Sequence, residues 1–196
     1  DRSRFEPVVL LSTDGPLVGR IRSLDIPVQI DSNIPIFPVY ANGQIKGMVR
    51  LLRALLMYPK GFKTFCKHCR RIAPDAVYLN SSAQLFLPWP AKKSGVKKVV
   101  FHNREHWEPK GLLKVKLIMR KWIISRFVDD VFSITKCGAK AIGFPDKSTV
   151  VRDWPSFDDE TEFDVREKLG LAPDVFLILL SGGFIPIKGT RDMLQA

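Results

Sequence analysis

This sequence predicts an α/β fold built on a parallel sheet, and three observations carry that expectation. Short apolar runs alternate with stretches of helical periodicity along the chain, the pattern of repeated strand–helix–strand units. The tail holds six consecutive apolar residues, Val175 to Leu180, bounded by turn signals. Such a run suits a strand buried on both faces, as parallel strands are. That run leads into Ser181-Gly182-Gly183, then Pro186, then Lys188-Gly189 at the start of another helical pattern.

Taken in order, the apolar runs place strands at 7–12, 27–31, 76–80, 97–102, 130–134, 148–152 and 174–181. Between them, helical spacing falls at 16–24, 44–57, 61–73, 81–88, 111–128, 136–143, 161–169 and 189–196. The helix at 44–57 is two-faced. Lys46, Arg50 and Arg53 lie on one side, and Met48, Leu51, Leu52 and Leu55 on the other. The helix at 61–73 repeats this, with Phe62, Phe65, Cys66, Cys69 and Ile72 against Lys63, Lys67, Arg70 and Arg71. Two adjacent basic amphipathic helices suit an anionic lipid surface, and equally a sheet face with the charges solvated. The apolar residues of 111–128 run almost all round, which places that helix in a buried or interfacial position. Asn80-Ser81-Ser82 follows a strand, where Ser81 suits a helix N-cap and the polar groups equally suit the lining of a cleft. Asp153–Phe163 is acidic, contains Pro155 and reads as a linker, so a first domain is expected over 1–155 and a second from 156 to 196.

Composition narrows the classes. Hydrophobic residues make up 45% of the 196, ample for a core, and no apolar run approaches the roughly 20 residues of a membrane span. Three cysteines make no disulfide framework and suit a reducing compartment. The first residues, Asp-Arg-Ser-Arg, lack an initiator Met and are no signal peptide, so a processed or cut N-terminus is expected. The net charge of +11 is unevenly spread: residues 41–126 carry 19 Lys/Arg against Asp75, Glu105 and Glu108, a balance of +16. A basic face meeting an anionic partner follows, with phosphates, lipid head groups and nucleic acid as candidates. Nucleic acid fits least, because no recognition motif is present and aromatic residues do not interleave with the basic ones.

Several constellations could carry chemistry. The glycines at 182 and 183 let backbone approach a ligand closely. Lys188 and Gly189 add charge where helix N–H groups already favour an anion. Together they read as a phosphate-binding strand–loop–helix or, equally on the loop alone, as an ordinary α/β turn with a surface lysine; neither a Walker A loop nor a dinucleotide fingerprint is spelled out. Cys66-Lys67-His68-Cys69 has no second ligand pair for zinc, and both cysteines fall on the apolar stripe as core thiols. His102-Asn103-Arg104-Glu105-His106 matches the inverted zinc-peptidase motif. A strand running into His102, and Pro109 with Gly111 just beyond, leave no helix to align both histidines, so no metal is expected. The remaining reading puts His102 at the carboxyl end of a parallel strand, where open α/β sheets bind ligands.

The chain as a whole resembles family 4 glycosyltransferases, retaining enzymes of the two-domain GT-B type. Pro74–Asn80, Val99–His102, Phe132–Ile134 and Ser148–Arg152 match successive strands of that family's first domain. Arg166–Leu171, Leu177–Gly182, Lys188-Gly189 and Leu194 match the start of its nucleotide-sugar-binding domain. The resemblance implies a Rossmann-like parallel-sheet domain of GT-B type, on the acceptor side, followed by the start of a second Rossmann-like domain. It implies sugar transfer from a nucleotide-diphosphate donor, as co-substrate rather than cofactor, to a carbohydrate or lipid-linked acceptor, without a metal. His102 takes the catalytic position near the reacting sugar. Arg104, Glu105, His106 and Trp107 form an acceptor-side loop, with Trp107 able to stack on a sugar ring. Gly182, Gly183, Lys188 and Gly189 hold the donor diphosphate. A cytoplasmic location follows, peripheral at the inner face of a membrane if helices 44–57 and 61–73 dock there, with a role in surface polysaccharide or glycolipid synthesis. There are departures. Gly183 stands where the family usually has arginine, and Asp153-Trp154 replaces an Asn-Gly turn. Phe5–Ser12 resembles the family's second strand, so its first strand and glycine-rich loop are expected to be missing. The family's Glu-x7-Glu element falls beyond Ala196, so this stretch alone is expected to be inactive.

Overall fold

The computed structural model describes residues 4–34, 36–37, 45–105, 113–153, 164–178 and 189–195. By internal contacts the chain divides into two units, Asp1–Asp153 and Trp154–Ala196. The first unit is an α/β, Rossmann-like assembly of parallel strands. Two strands, β1 (Val9–Leu11) and β2 (Val28–Ile30), pair in parallel around helix α1 (Pro16–Arg22). The four others, β3 (Ala76–Leu79), β4 (Lys98–Asn103), β5 (Asp130–Ser133) and β6 (Ser148–Val150), form a sheet in simple sequential order. Helices α3 (Pro88–Lys93), α4 (Leu113–Phe127) and α5 (Lys136–Ile142) link consecutive strands of that sheet. Right-handed crossovers in a sequentially ordered sheet put all three helices on one face.

That face is the core. Val99, Phe101 and Val131 are fully buried, as are Leu85, Ala91, Ile124 and Ile142 packed against them. Burying each large apolar side chain contributes roughly 1.5–3 kcal/mol, so this layer dominates the stability of the unit. Asp129, where α4 gives way to β5, ties the layer down. Its carboxylate accepts from the Val99 N–H (2.6 Å) and pairs with Lys92 (2.7 Å). Burial opposes that charge, but the two partners win and hold the group below its ordinary range.

The helices expected at 44–57 and 61–73 are one 28-residue helix, α2 (Ile45–Ile72), with Pro59 inside it. An interior proline removes a hydrogen bond and normally breaks a helix. Here the turns on both sides of it are anchored. The Tyr58 hydroxyl donates to the Phe86 carbonyl (2.9 Å), and Phe62 meets the Trp89 ring edge-on at 5.0 Å. The helix expected at 81–88 is a short 3-10 turn, Ser82–Gln84, capped by Ser81, and α3 follows. Pro88 and Pro90 look like breakers in sequence, yet both fall in the first turn of α3, where a missing N–H costs nothing.

In the second unit, α6 (Val165–Leu169) starts at Asp164, whose side chain accepts from the N–H groups of Arg166 and Glu167. It stops at Gly170, whose φ of 63° is the left-handed conformation that glycine adopts freely. A last helix, α7, covers Thr190–Gln195. The strand expected at 174–181 is not formed over 174–178, and its remaining residues, 179–181, lie outside the described ones. A strand needs a partner ladder, and no pairing reaches these residues; Phe176 is 87% exposed.

Candidate functional site

The parallel registers bring the carboxyl ends of β3, β4, β5 and β6 together. Leu79 lies beside Phe101, Asn103 beside Ser133, and Ser133 beside Val150. Side chains alternate between faces along each strand. Tyr78, His102 and Phe132 therefore share the face opposite the helices, while Asn103 and Ser133 end the helix-covered face.

His102 is 5% exposed. Its Nδ1 is hydrogen-bonded to the Tyr78 hydroxyl, and its ring meets those of Tyr78 and Phe132 edge-on, at 5.8 and 6.3 Å. Burial pushes the imidazole below the usual histidine range, and the nearby Arg104 guanidinium pushes it further. Burial also raises the Tyr78 phenol, so that group keeps its proton and can donate it to Nδ1. With Tyr78 donating to Nδ1, the neutral imidazole that burial favours carries its proton on Nε2, and Nε2 has no partner among the described residues.

The loop after β4 is built by the same strand ends. Arg104 pairs with Asp153 beyond β6 and donates to Asn80 Oδ1 beyond β3 (3.3 Å). Glu105 accepts from Ser81 Oγ (2.9 Å) and from the Ser82 N–H (3.1 Å), so it braces the 3-10 turn after β3. Asn103 Oδ1, Ser133 Oγ and Ser82 Oγ are buried without partners among the described residues. An unmade hydrogen bond at a buried polar atom costs about 1–3 kcal/mol. Four such atoms lie at the carboxyl ends of the strands, His102 Nε2 on one face and Asn103 and Ser133 on the other, and each calls for a hydrogen-bonding partner such as a ligand hydroxyl.

Of the residues singled out from sequence, the structure places His102, Arg104 and Glu105 together at the strand ends. Tyr78, Asn103, Ser133 and Asp153 join them, and these the sequence reading missed. Tyr78 carried a signal, since strand alternation puts it on the same face as His102. Asp153 carried none, because it contacts Arg104 only through folding. His106 and Trp107 of the expected acceptor loop, and Gly182, Gly183 and Lys188 of the expected donor loop, lie outside the described residues. Gly189 is described; it has a φ of 66° and precedes α7. An open cavity of about 1240 Å³ lies between β1 and β3, which both keep a free edge there among the described residues, and Tyr78 of the site forms part of its wall. Leu10, Val77, Leu79, Phe65 and Cys69 help line it. Its walls are mostly apolar, so the polar strand ends make the better candidate.

The two metal-like motifs resolve differently. Cys66 and Cys69 are buried on α2, and burial pushes the Cys69 thiol up to about 11. His68 between them points elsewhere, to Asp31 (2.9 Å) and Gln29 (3.1 Å). His102 sits in β4 and Glu105 in the loop after it, so the start of the zinc-peptidase motif is not helical. Among the described residues, no three His, Cys, Asp or Glu side chains group to hold a metal.

This geometry defines a Rossmann-like α/β domain with a polar site at the carboxyl ends of its strands. Two solved structures share that fold, both of Anabaena Alr3699/HepE. One is in complex with UDP and glucose: 19% identity and a TM-score of 0.52, over 74% of this chain and 36% of that one. The other is in complex with UDP-glucose: 18% identity and a TM-score of 0.55, over 83% and 42%. The chain spans less than half the length of these solved chains. No protein-family model matches the sequence, and no curated protein does.

Proposed function

We propose that this chain carries the acceptor-side domain of a retaining glycosyltransferase of family 4 type, with the start of its donor-side domain in 156–196. The observation that carries the reading is the set of buried polar atoms without partners among the described residues at the carboxyl ends of β3 to β5. It lies in a fold shared with a protein solved with UDP-glucose. Sugar hydroxyls are donors and acceptors at once, which is what His102 Nε2–H, Asn103 Oδ1 and the serine hydroxyls call for.

In the proposed reaction the bond from the anomeric carbon to the donor diphosphate breaks. An acceptor oxygen bonds to that carbon, and its proton leaves with the diphosphate. The leaving group develops negative charge, and stabilising such charge is the largest help a site can give. Lys188, with the backbone N–H groups of Gly182, Gly183 and Gly189, supplies that help. His102 stays neutral, because burial and Arg104 disfavour its cation, so it orients a hydroxyl by hydrogen bonding. Arg104, Glu105, His106 and Trp107 shape the acceptor side. The acceptor is a carbohydrate or a lipid-linked sugar.

Calorimetric titration with UDP, UMP and UDP-glucose tests this reading. The diphosphates are expected to bind more tightly than the monophosphate. Lys188→Ala should weaken the diphosphates about tenfold or more, because a hydrogen bond to a charged group contributes roughly 1.5–3 kcal/mol. Equal affinities for UDP and UMP, unchanged in Lys188→Ala, would sink it.

A further inference from the structure

The helix-covered side of the sheet carries a second surface that the sugar-transfer reading does not use. Helix α2 packs on α3, and α3 on α4. Their outer sides remain apolar where an ordinary surface would be polar. Leu52, Leu55 and Leu56 on α2 are exposed, spaced at i, i+3 and i+4 on one stripe. Trp89 on α3 is 43% exposed, and Ile118 and Trp122 on α4 are 68% and 52% exposed. The aromatic members form one connected band. Phe62 meets Trp89 at 5.0 Å, Trp89 stacks on Phe127 at 6.1 Å, and Phe127 meets Trp122 edge-on at 5.5 Å.

Charge completes the surface. None of α2, α3 and α4 contains an Asp or a Glu. Lys60, Lys63, Lys67 and Arg70 on α2, Lys93 on α3 and Arg126 on α4 are exposed. None of these six has an ion-pair partner among the described residues. The two acids next to this layer, Asp129 and Asp130, are engaged by Lys92 and Lys98. A nucleic acid would explain the charge but not the exposed leucines and isoleucine. A protein partner would explain the apolar band but not six unpaired cations around it. Tryptophans at an apolar–polar boundary ringed by lysines are the chemistry of a membrane interface. No described helix is long and apolar enough to cross a membrane, so the contact is peripheral.

We propose that the α2–α3–α4 face docks on the surface of an anionic lipid bilayer. The tryptophans and α2 leucines enter the head-group region, and the lysines lie over the lipid phosphates. Each surface lysine strengthens partition onto an anionic leaflet about fivefold. The inference does not depend on the chemistry of the sheet edge.

Co-sedimentation with vesicles of phosphatidylglycerol and phosphatidylcholine, against phosphatidylcholine alone, tests it. The protein is expected to pellet with the mixed vesicles only, and less as salt rises. The triple variant Lys60→Glu, Lys63→Glu, Lys67→Glu should lower the partition coefficient a hundredfold or more. Trp122→Ser, with an unchanged circular dichroism spectrum, should lower it about tenfold. Brominated lipid should quench the tryptophan fluorescence of the wild-type protein. No binding to either vesicle would overturn the proposal. So would binding that ignores Trp122→Ser and leaves the fluorescence unquenched, or binding of arbitrary DNA that is preferred over the vesicles.

Discussion

The carboxyl edge of the sheet and the outer face of α2, α3 and α4 are both unsatisfied surfaces, in opposite ways. At the edge the unmet groups are buried polar atoms: His102 Nε2, Asn103 Oδ1, Ser133 Oγ and Ser82 Oγ. On the helices they are exposed apolar side chains, such as Trp122 and Leu56, beside cations such as Lys63 that have no ion-pair partner among the described residues. The first kind favours a small ligand that makes hydrogen bonds out of water. The second favours an extended partner that is both apolar and anionic. The contrast teaches that burial alone does not find a functional surface. What matters is which atoms are left without their preferred surroundings.

Substitutions can break that contrast. The largest effect is expected on the underside of α4, where Ile124→Ala removes a fully buried side chain from the core. It should cost about 2–5 kcal/mol in urea unfolding. Next comes Tyr78→Phe, which deprives buried His102 Nδ1 of its partner and should cost about 1–3 kcal/mol. Leu56→Ser, at a side chain 73% exposed, should change solution stability by no more than about 0.5 kcal/mol while weakening vesicle binding. A core role for Leu56 would show instead as a large drop in the urea midpoint.

Acidity separates the two surfaces further. His102 is held below its ordinary value of 6.5 in the folded chain, so the unfolded chain binds its proton first. The stability tied to the neutral imidazole is therefore fully present above about 6.5. It is lost as pH falls from there through the folded value. Parallel urea titrations should show this decline in the wild-type protein and a shallower one in His102→Gln. Identical slopes would mean that His102 is solvated, and the edge more open than described.

Much of the fold was legible because its signals are local. Six of the expected strands form close to their expected positions, each an apolar run between turn residues. The fused α2 was not legible, since Pro59 reads as a breaker until Phe86 and Trp89 arrive to anchor the turns around it. Helix α3 was missed for the same reason, with Pro88 and Pro90 acceptable only in a first turn. Helix α4, expected from its all-round apolar residues to be buried or interfacial, is buried at Ile123 and Ile124 and exposed at Ile118 and Trp122. Amphipathic spacing says that a face will be covered, not by what. At the site, His102 and the Arg104-Glu105 loop followed from a strand end. The Arg104–Asp153 pair joins residues 49 apart in sequence, and no local pattern encodes it.

Amide hydrogen exchange with and without UDP-glucose tests the central claim most directly. Slower exchange is expected in peptides covering 78–82, 102–105 and 181–189, with α2 and α4 unchanged. Protection confined to α2 and α4, or none at saturating ligand, would contradict it.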